Sequence, residues 1–192
     1  MKIFLTGATG YIGHSLANKL AMKGHTIHAL VRNTGALHHN LHPNIKLFLG
    51  DITDRNTIAR AMTGCEQVYH VAGFAKLWAR KKDIFYQVNV AGTRNVLNVA
   101  LEKGIKNLVY TSTCGVLGNS LKHPLSERDP RMLSFKSDYD LSKHICECMV
   151  REFVQKGLPS VIVNPSRVYG PGPATFSNPI SKMIERCLKG KT

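Results

Sequence analysis

Acidic residues are scarce in this chain: 12 aspartates and glutamates stand against 26 lysines and arginines over 192 residues, a formal charge of +14. Such an imbalance predicts attraction to anions. It does not choose among them, because the basic residues are scattered and "ARKK" (Arg80, Lys81, Lys82) is the one short cluster. No helix-turn-helix or RNA-recognition signature accompanies that cluster, so no specific nucleic acid is expected; a solvated basic surface partly serving an anionic cofactor is favoured. Long apolar runs are missing too. None approaches the roughly 18 to 20 residues of a membrane span, and "MKIFLTG" reaches glycine too early for a secretory leader. A cytoplasmic protein without membrane insertion is expected. The five cysteines (Cys65, Cys114, Cys146, Cys148, Cys187) are odd in number and form no C-x-x-C pair. Neither a disulfide frame nor a zinc ribbon is therefore expected, and Cys146 and Cys148 should point to different sides of a helix. "HHNLH" (His38, His39, His42) has no acidic or cysteine neighbour and reads as loop, so no metal is assigned.

What is present is an alternation. Strand-like runs rich in β-branched and apolar residues recur as "KIFLTG", "TIHALVR", "IKLFLG", "QVYHVAG", "NLVYTST" and "SVIVNP". Helix-length amphipathic segments separate most of them, among them "IGHSLANKLAMKG", "DRNTIARAMTG" and "IFYQVNVAGTRNVLNVALEKG". Nearly continuous apolar strands are covered on both faces, so the pattern predicts α/β class, a doubly wound parallel sheet of Rossmann type. The long irregular piece "CGVLGNSLKHPLSERDPRMLSFKS" leaves the fifth strand at its carboxyl end, where such sheets place ligands. The chain finishes at the helical "ISKMIERCLKGKT".

Two short motifs carry chemistry. The first strand runs into "TGATGYIGH", whose Gly7, Gly10 and Gly13 suit a tight turn, close approach to a pyrophosphate and close helix packing. A helix beginning near Tyr11 would turn unpaired N–H groups and its positive dipole end toward the phosphates. The candidate cofactor residues here are Gly7, Thr9, Gly10, Tyr11, Ile12 and Gly13. Nineteen residues on, the acid expected in an NAD site is replaced by Arg32. A guanidinium can pair with a 2′-phosphate, which favours NADP(H), with NAD(H) possible and an exposed surface arginine the alternative. The second motif is "YDLSK". In a helix opened by Ser137 and stopped at Gly157, Tyr139 and Lys143 share a face. That helix has an apolar stripe of Leu141, Ile145, Met149, Val150, Phe153 and Val154.

The ordered set "TGATGYIG", "GDITD", "HVAG", "VNVAGTRNVL", "YTST", "YDLSK" and "NPSRVYGPG" resembles the extended short-chain dehydrogenase/reductase family over essentially the whole chain. "ALVR" and "LWAR" are similar to its dihydroflavonol 4-reductase-like branch, which includes bacterial NAD-dependent epimerase/dehydratase proteins. The resemblance implies that Asp51 and Ile52 flank the adenine, Ala72 and Gly73 approach the ribose-phosphate side, and Pro165 lines the nicotinamide. It implies a catalytic set of Thr113, Tyr139, Lys143 and Asn89. Asp51 as a turn cap, Asn89 as a satisfied helix amide and Thr113 as a strand-end residue remain the plainer readings, and Ser112 competes with Thr113, since only one of two neighbours on a strand faces the site. Trp78 could lid the cleft or simply pack a loop.

Hydride transfer at a carbinol carbon needs a group that moves the hydroxyl proton. A phenol with its ordinary pKa of about 10 is a poor base near neutrality, and Lys143 is placed to depress it. The family's sugar dehydratases carry an Asp-Glu pair where this chain has Cys114 and Gly115, which disfavours dehydration. Three functions are carried: an NADP(H)-dependent oxidoreductase acting on a small carbonyl or hydroxyl compound, an NAD(P)-dependent nucleotide-sugar epimerase, and a non-catalytic dinucleotide sensor or scaffold. Family members usually continue well beyond this length; the resemblance thus implies that residues 1–170 form the dinucleotide-binding domain, that 171–192 are the start of a substrate-binding portion, and that most of the substrate domain is missing. They also imply a homodimer through the helices around Val88–Leu101 and Tyr139–Val154.

Overall fold

From Ile3 to Thr6 every residue of the first strand is buried, which a strand achieves only when both faces are covered. That strand, β1 (Lys2–Thr6), has β2 (Thr26–Val31) and β3 (Ile45–Leu49) on one side. On the other lie β4 (Gln67–His70), β5 (Asn107–Thr111) and β6 (Ser160–Val163). All pairings are parallel, in the order β3-β2-β1-β4-β5-β6. The predicted doubly wound sheet is therefore present, and its winding reverses between β1 and β4, where the strand ends leave a crevice. The computed structural model describes every residue except 34–40, 77, 119, 121–122, 130–133, 172–178 and 191–192. His38 and His39 lie outside the described residues. His42 accepts a hydrogen bond from the Asn44 N–H at its own ring Nδ1.

Helices α1 (Tyr11–Met22), α2 (Arg55–Ala61), α3 (Gly92–Glu102), α4 (Asp138–Gln155) and α5 (Pro179–Leu188) follow their strands in sequence. Strand register sorts the core. Phe4, Val68 and Leu108 stand side by side and join Ile58, Val96, Leu97 and Val150 beneath α2, α3 and α4. Ile3 and Leu5 point the other way, onto Ala17 and Ala21 of α1. That second face continues from Leu5 through Tyr69 and Val109 to Val161. Helix α1 packs on β1, β2 and β3, so cover thins toward the far edge, and Val161 is 59% exposed. Among the described residues, no helix is long and apolar enough to cross a membrane.

Two helices differ from expectation. The segment read as one helix from Ile84 winds as a π-helix over Phe85–Ala91 before α3 begins. Its wider turn puts Asn89 where the side chain and the carbonyl both bind other elements, and π-turns tend to occur at functional sites. Apolar periodicity carries no mark of that change. In α4, Met149, Val150 and Phe153 are buried as the stripe predicts, yet Leu141 and Ile145 are only half-buried and Val154 is exposed. The buried positions of its first half are Ser142, Lys143, Cys146 and Glu147. A polar cluster, rather than an apolar one, faces inward there.

Candidate functional site

The turn after β1 is made of backbone. Gly7 sits at φ +81°, in the left-handed region, and a Cβ on it would come within 2.7 Å of Ala72 N. Only glycine meets both demands. A Cβ on Gly13 would lie 2.1 Å from Gly7 O, so α1 is seated directly against the turn. The Gly10 N–H donates to Gly7 O at 2.9 Å and Gly10 is the N-cap of α1, without any side-chain cap and without an acidic residue in the first turn. The first-turn N–H groups and the dipole end thus face the crevice without a negative group of the chain's own. Thr9 is exposed, Ile12 half-buried, and the Tyr11 hydroxyl donates across the crevice to Pro171 O at 3.4 Å. Arg32 is exposed just past the end of β2. This cradle fits a dinucleotide pyrophosphate.

Across the crevice, the segment after β4 is fixed by side chains. Ala72 N–H donates to Thr6 Oγ1 at 3.1 Å, and Thr6 Oγ1 is hydrogen-bonded to His70 Nδ1 at 2.7 Å. His70 Nε2 is in turn bonded to Thr93 Oγ1 at 2.9 Å. Asn89 Oδ1 accepts the Phe74 N–H at 2.7 Å, while its Nδ2 donates to Ser142 Oγ at 2.9 Å. Asn89 therefore ties the strand-end loop to α4, and Gly73 lies where a Cβ would be 3.3 Å from Asn89 Oδ1 and 4.0 Å from Lys143 Nζ.

Thr113, Tyr139 and Lys143 converge at the end of β5. The Thr113 hydroxyl caps the short 3-10 turn Cys114–Val116 by accepting the Gly115 N–H, and it lies against the Tyr139 phenol. Ser112 points the other way: it is buried, and its Oγ has no hydrogen-bond partner among the described residues. Lys143 is buried, donates to Thr111 O at 2.6 Å, and holds Nζ 4.2 Å from the centre of the Tyr110 ring. Its other two N–H donors have no partner among the described residues. The Tyr110 hydroxyl lies beside the Cys146 thiol, which donates to Asn89 O at 3.2 Å, and is not within hydrogen-bond geometry of any described residue.

The electrostatics correct one expectation. Burial pushes the Tyr139 phenol up to about 12, with Asp140 and Cys114 adding to the rise and the Thr113 hydrogen bond opposing it. Lys143 does not lower it, because its ammonium is drawn to Thr111 O and the Tyr110 ring. Lys143 is itself pulled down to about 8 by burial, against the influence of Cys146 and Glu147. Burial and the nearby Lys143 also hold His70 down to about 3, so its ring is neutral.

Asp51 Oδ1 accepts both the N–H and the hydroxyl of Thr53 at 2.8 Å, a turn cap at the sheet's carboxyl edge. Ile52 turns its side chain into the core against Gly92, where a Cβ would come within 2.8 Å of it. Its carbonyl accepts from Asn95 Nδ2 at 3.1 Å. Pro165 O accepts the Cys114 N–H at 3.0 Å, so the end of β6 is stitched to the turn beside Thr113. A Cβ on Gly115 would lie 2.1 Å from Asp140 Oδ1, leaving no room for an acid there as Asp140 now stands. Trp78 is 74% exposed. His70, Tyr110, Ser142, Glu147 and Asn164 also build this end; sequence reasoning missed them, although Glu147 follows Lys143 by one helical turn.

The geometry agrees with what the chain resembles. The profile of the NAD dependent epimerase/dehydratase family matches residues 3–192. A Synechocystis sp. protein named for dihydroflavonol 4-reductase is 34% identical over 88% of this chain and 49% of its own length. The 2-alkyl-3-oxoalkanoate reductase of Stenotrophomonas maltophilia is 29% identical over 100% of the chain and 57% of its own length. Among solved structures, the Thermus thermophilus UDP-glucose 4-epimerase in complex with NAD superposes with a TM-score of 0.86 at 27% identity. That match covers 100% of this chain and 64% of the epimerase. The chain spans about half the length of the curated relatives it matches.

Proposed function

The chain belongs to the NAD-dependent epimerase/dehydratase family, and from that premise we propose that it is the cofactor-binding part of an NADP(H)-dependent oxidoreductase. Its substrate class is a small organic or sugar-derived carbonyl or alcohol, and residues 171–192 begin the portion that completes the substrate site. The observation that carries this reading is the convergence of Thr113, Tyr139 and Lys143 opposite the uncapped start of α1. A bound nicotinamide dinucleotide would supply hydride transfer. The glycine turn and α1 would take up its pyrophosphate charge, and Arg32 would meet a 2′-phosphate. The free N–H donors of Lys143 would hold ribose hydroxyls. Thr113 would orient the substrate oxygen and Tyr139 would exchange a proton with it. With its phenol near 12, Tyr139 carries its proton at neutral pH and suits donation to an oxygen gaining negative charge, as in carbonyl reduction.

The bare β6 edge, with Val161 and Val163 exposed, supports a covering partner or further chain. Half-buried Leu141 and Ile145 on α4 support a homodimer through that helix. Nucleotide-sugar epimerisation is the second reading, favoured by the fit to an NAD-bound epimerase. The test uses the full-length protein with carbonyl compounds and UDP-sugars. Tyr139→Phe should lower turnover by about 10²–10⁴-fold while leaving NADPH binding, followed by nicotinamide fluorescence, nearly unchanged. Arg32→Ala should erase a preference for NADPH over NADH. Unchanged turnover in Tyr139→Phe would remove the catalytic assignment.

A further inference from the structure

Glu147 has no part in the chemistry above, yet only 4% of its side chain is exposed. A carboxylate is buried at large cost unless it is paired and hydrogen-bonded, and here the partners lead to the site. Asn164 Nδ2 donates to Glu147 Oε1 at 2.7 Å and to Thr113 O at 3.1 Å. One amide group thus joins α4, the end of β6 and the end of β5. Arg151, 57% exposed, donates to Oε2 at 3.0 Å and brings the outer charge.

Tyr139, Lys143 and Glu147 follow one another at intervals of four along α4, so the carboxylate lies one turn from the ammonium on the same face. The other groups around Lys143 do not supply a balancing anion. Tyr110 from β5 offers its ring and His70 from β4 is neutral, while Cys146, whose charge would also favour the ammonium, is kept a neutral thiol near pH 7 by burial. Tyr139, with its raised phenol, is neutral as well. Glu127, from the segment after β5, lines the same cavity of about 330 Å³ as Glu147, Arg151 and Asn164.

We propose that Glu147 is a positioning residue of the catalytic end: through Asn164 it fixes the Thr113 backbone, and through its charge it keeps Lys143 an ammonium. The catalytic meaning of this role rests on the oxidoreductase reading, whereas its physical test does not. In full-length protein carrying lysine labelled with carbon-13 at Cε, the Lys143 resonance, assigned with Lys143→Arg, is followed against pH. Glu147→Gln keeps the shape and an acceptor for Asn164 but removes the charge, so the Lys143 midpoint should fall by about one pH unit. Arg151→Gln removes a competing cation at an exposed position, and the midpoint should rise by a smaller amount. This second variant decides the matter if Glu147→Gln fails to fold. A midpoint unmoved by these changes overturns the electrostatic role. In Asn164→Leu, hydrogen exchange at the Cys114 N–H should accelerate; unchanged protection overturns the Thr113 role. NADPH and NADH titrations on the same samples separate the two readings. A moved midpoint without dinucleotide binding upholds Glu147's action on Lys143 and removes the proposed function.

Discussion

Helices α1 and α4 both begin at the carboxyl edge of the sheet, and they begin in opposite ways. Ser137 caps α4 by accepting the Asp140 N–H, and Asp138 and Asp140 place two carboxylates in its first turn. Helix α1 starts on Gly10, with no side-chain cap and no acid. A carboxylate near a helix start stabilises it by about 0.3–1 kcal/mol, a gain that α1 forgoes. The positive end of a helix can satisfy its own chain or be left for an anion. At α4 it is satisfied, and the functional groups are side chains; at α1 it is open, and the functional groups are backbone N–H donors.

The largest test strikes the joint between these two regions. His70 links Thr6, just before the α1 turn, to Thr93 of α3, and its neighbour Lys143 belongs to α4. Its pKa is held down to about 3 from the ordinary 6.5. As pH falls below about 6.5, the unfolded chain takes up a proton that the native chain refuses until about 3. Stability from this group is therefore intact above 6.5 and lost on the way down, by up to about 5 kcal/mol. Urea unfolding between pH 7 and 4 should show about 3 kcal/mol of that loss, and His70→Asn should flatten it. An equally steep acid limb in the variant would place the loss elsewhere.

The next test sets two glycines against each other. A Cβ on Gly13 and a Cβ on Gly115 would each stand 2.1 Å from an oxygen. For Gly13 the oxygen is the Gly7 carbonyl, which cannot move without the phosphate turn. For Gly115 it is Asp140 Oδ1, at the end of a side chain that can rotate. Gly13→Ala should cost about 3 kcal/mol and abolish NADPH binding. Gly115→Ala should cost about 1 kcal/mol and leave that binding intact. Equal losses in the two variants would erase the distinction between a backbone site and a side-chain site.

The same distinction explains what the sequence made legible. The order of strands and helices, the α1 turn and the shared face of Tyr139 and Lys143 follow from local periods and from the sterics of glycine. What could not be read depends on burial among distant residues. Lys143 finds Thr111 O across 32 positions. Asn164 finds Thr113 and Glu147 across 51 and 17. The rise of the Tyr139 phenol comes first from desolvation, which no spacing of residues records. The π-winding around Asn89 has the same origin, since its partners Phe74, Ser142 and Cys146 lie on other elements.

The smallest effect tests α4 at its first residue. Ser137 Oγ accepts the Asp140 N–H at 3.1 Å and donates to Asp140 Oδ2 at 2.8 Å, so removing the hydroxyl frees a helix N–H and a carboxylate together. Ser137→Ala should cost about 1 kcal/mol. That cost falls on the turn that carries Tyr139, while the α1 turn, which has no such cap, is untouched. Amide exchange at Leu141, whose N–H donates to Ser137 O, should speed up about fivefold, with exchange at His14 in the first turn of α1 unchanged. Turnover should fall through loss of a fixed phenol while NADPH affinity holds. If exchange rises equally in both helices, the two ends are one cooperative unit and the contrast between them belongs to composition alone.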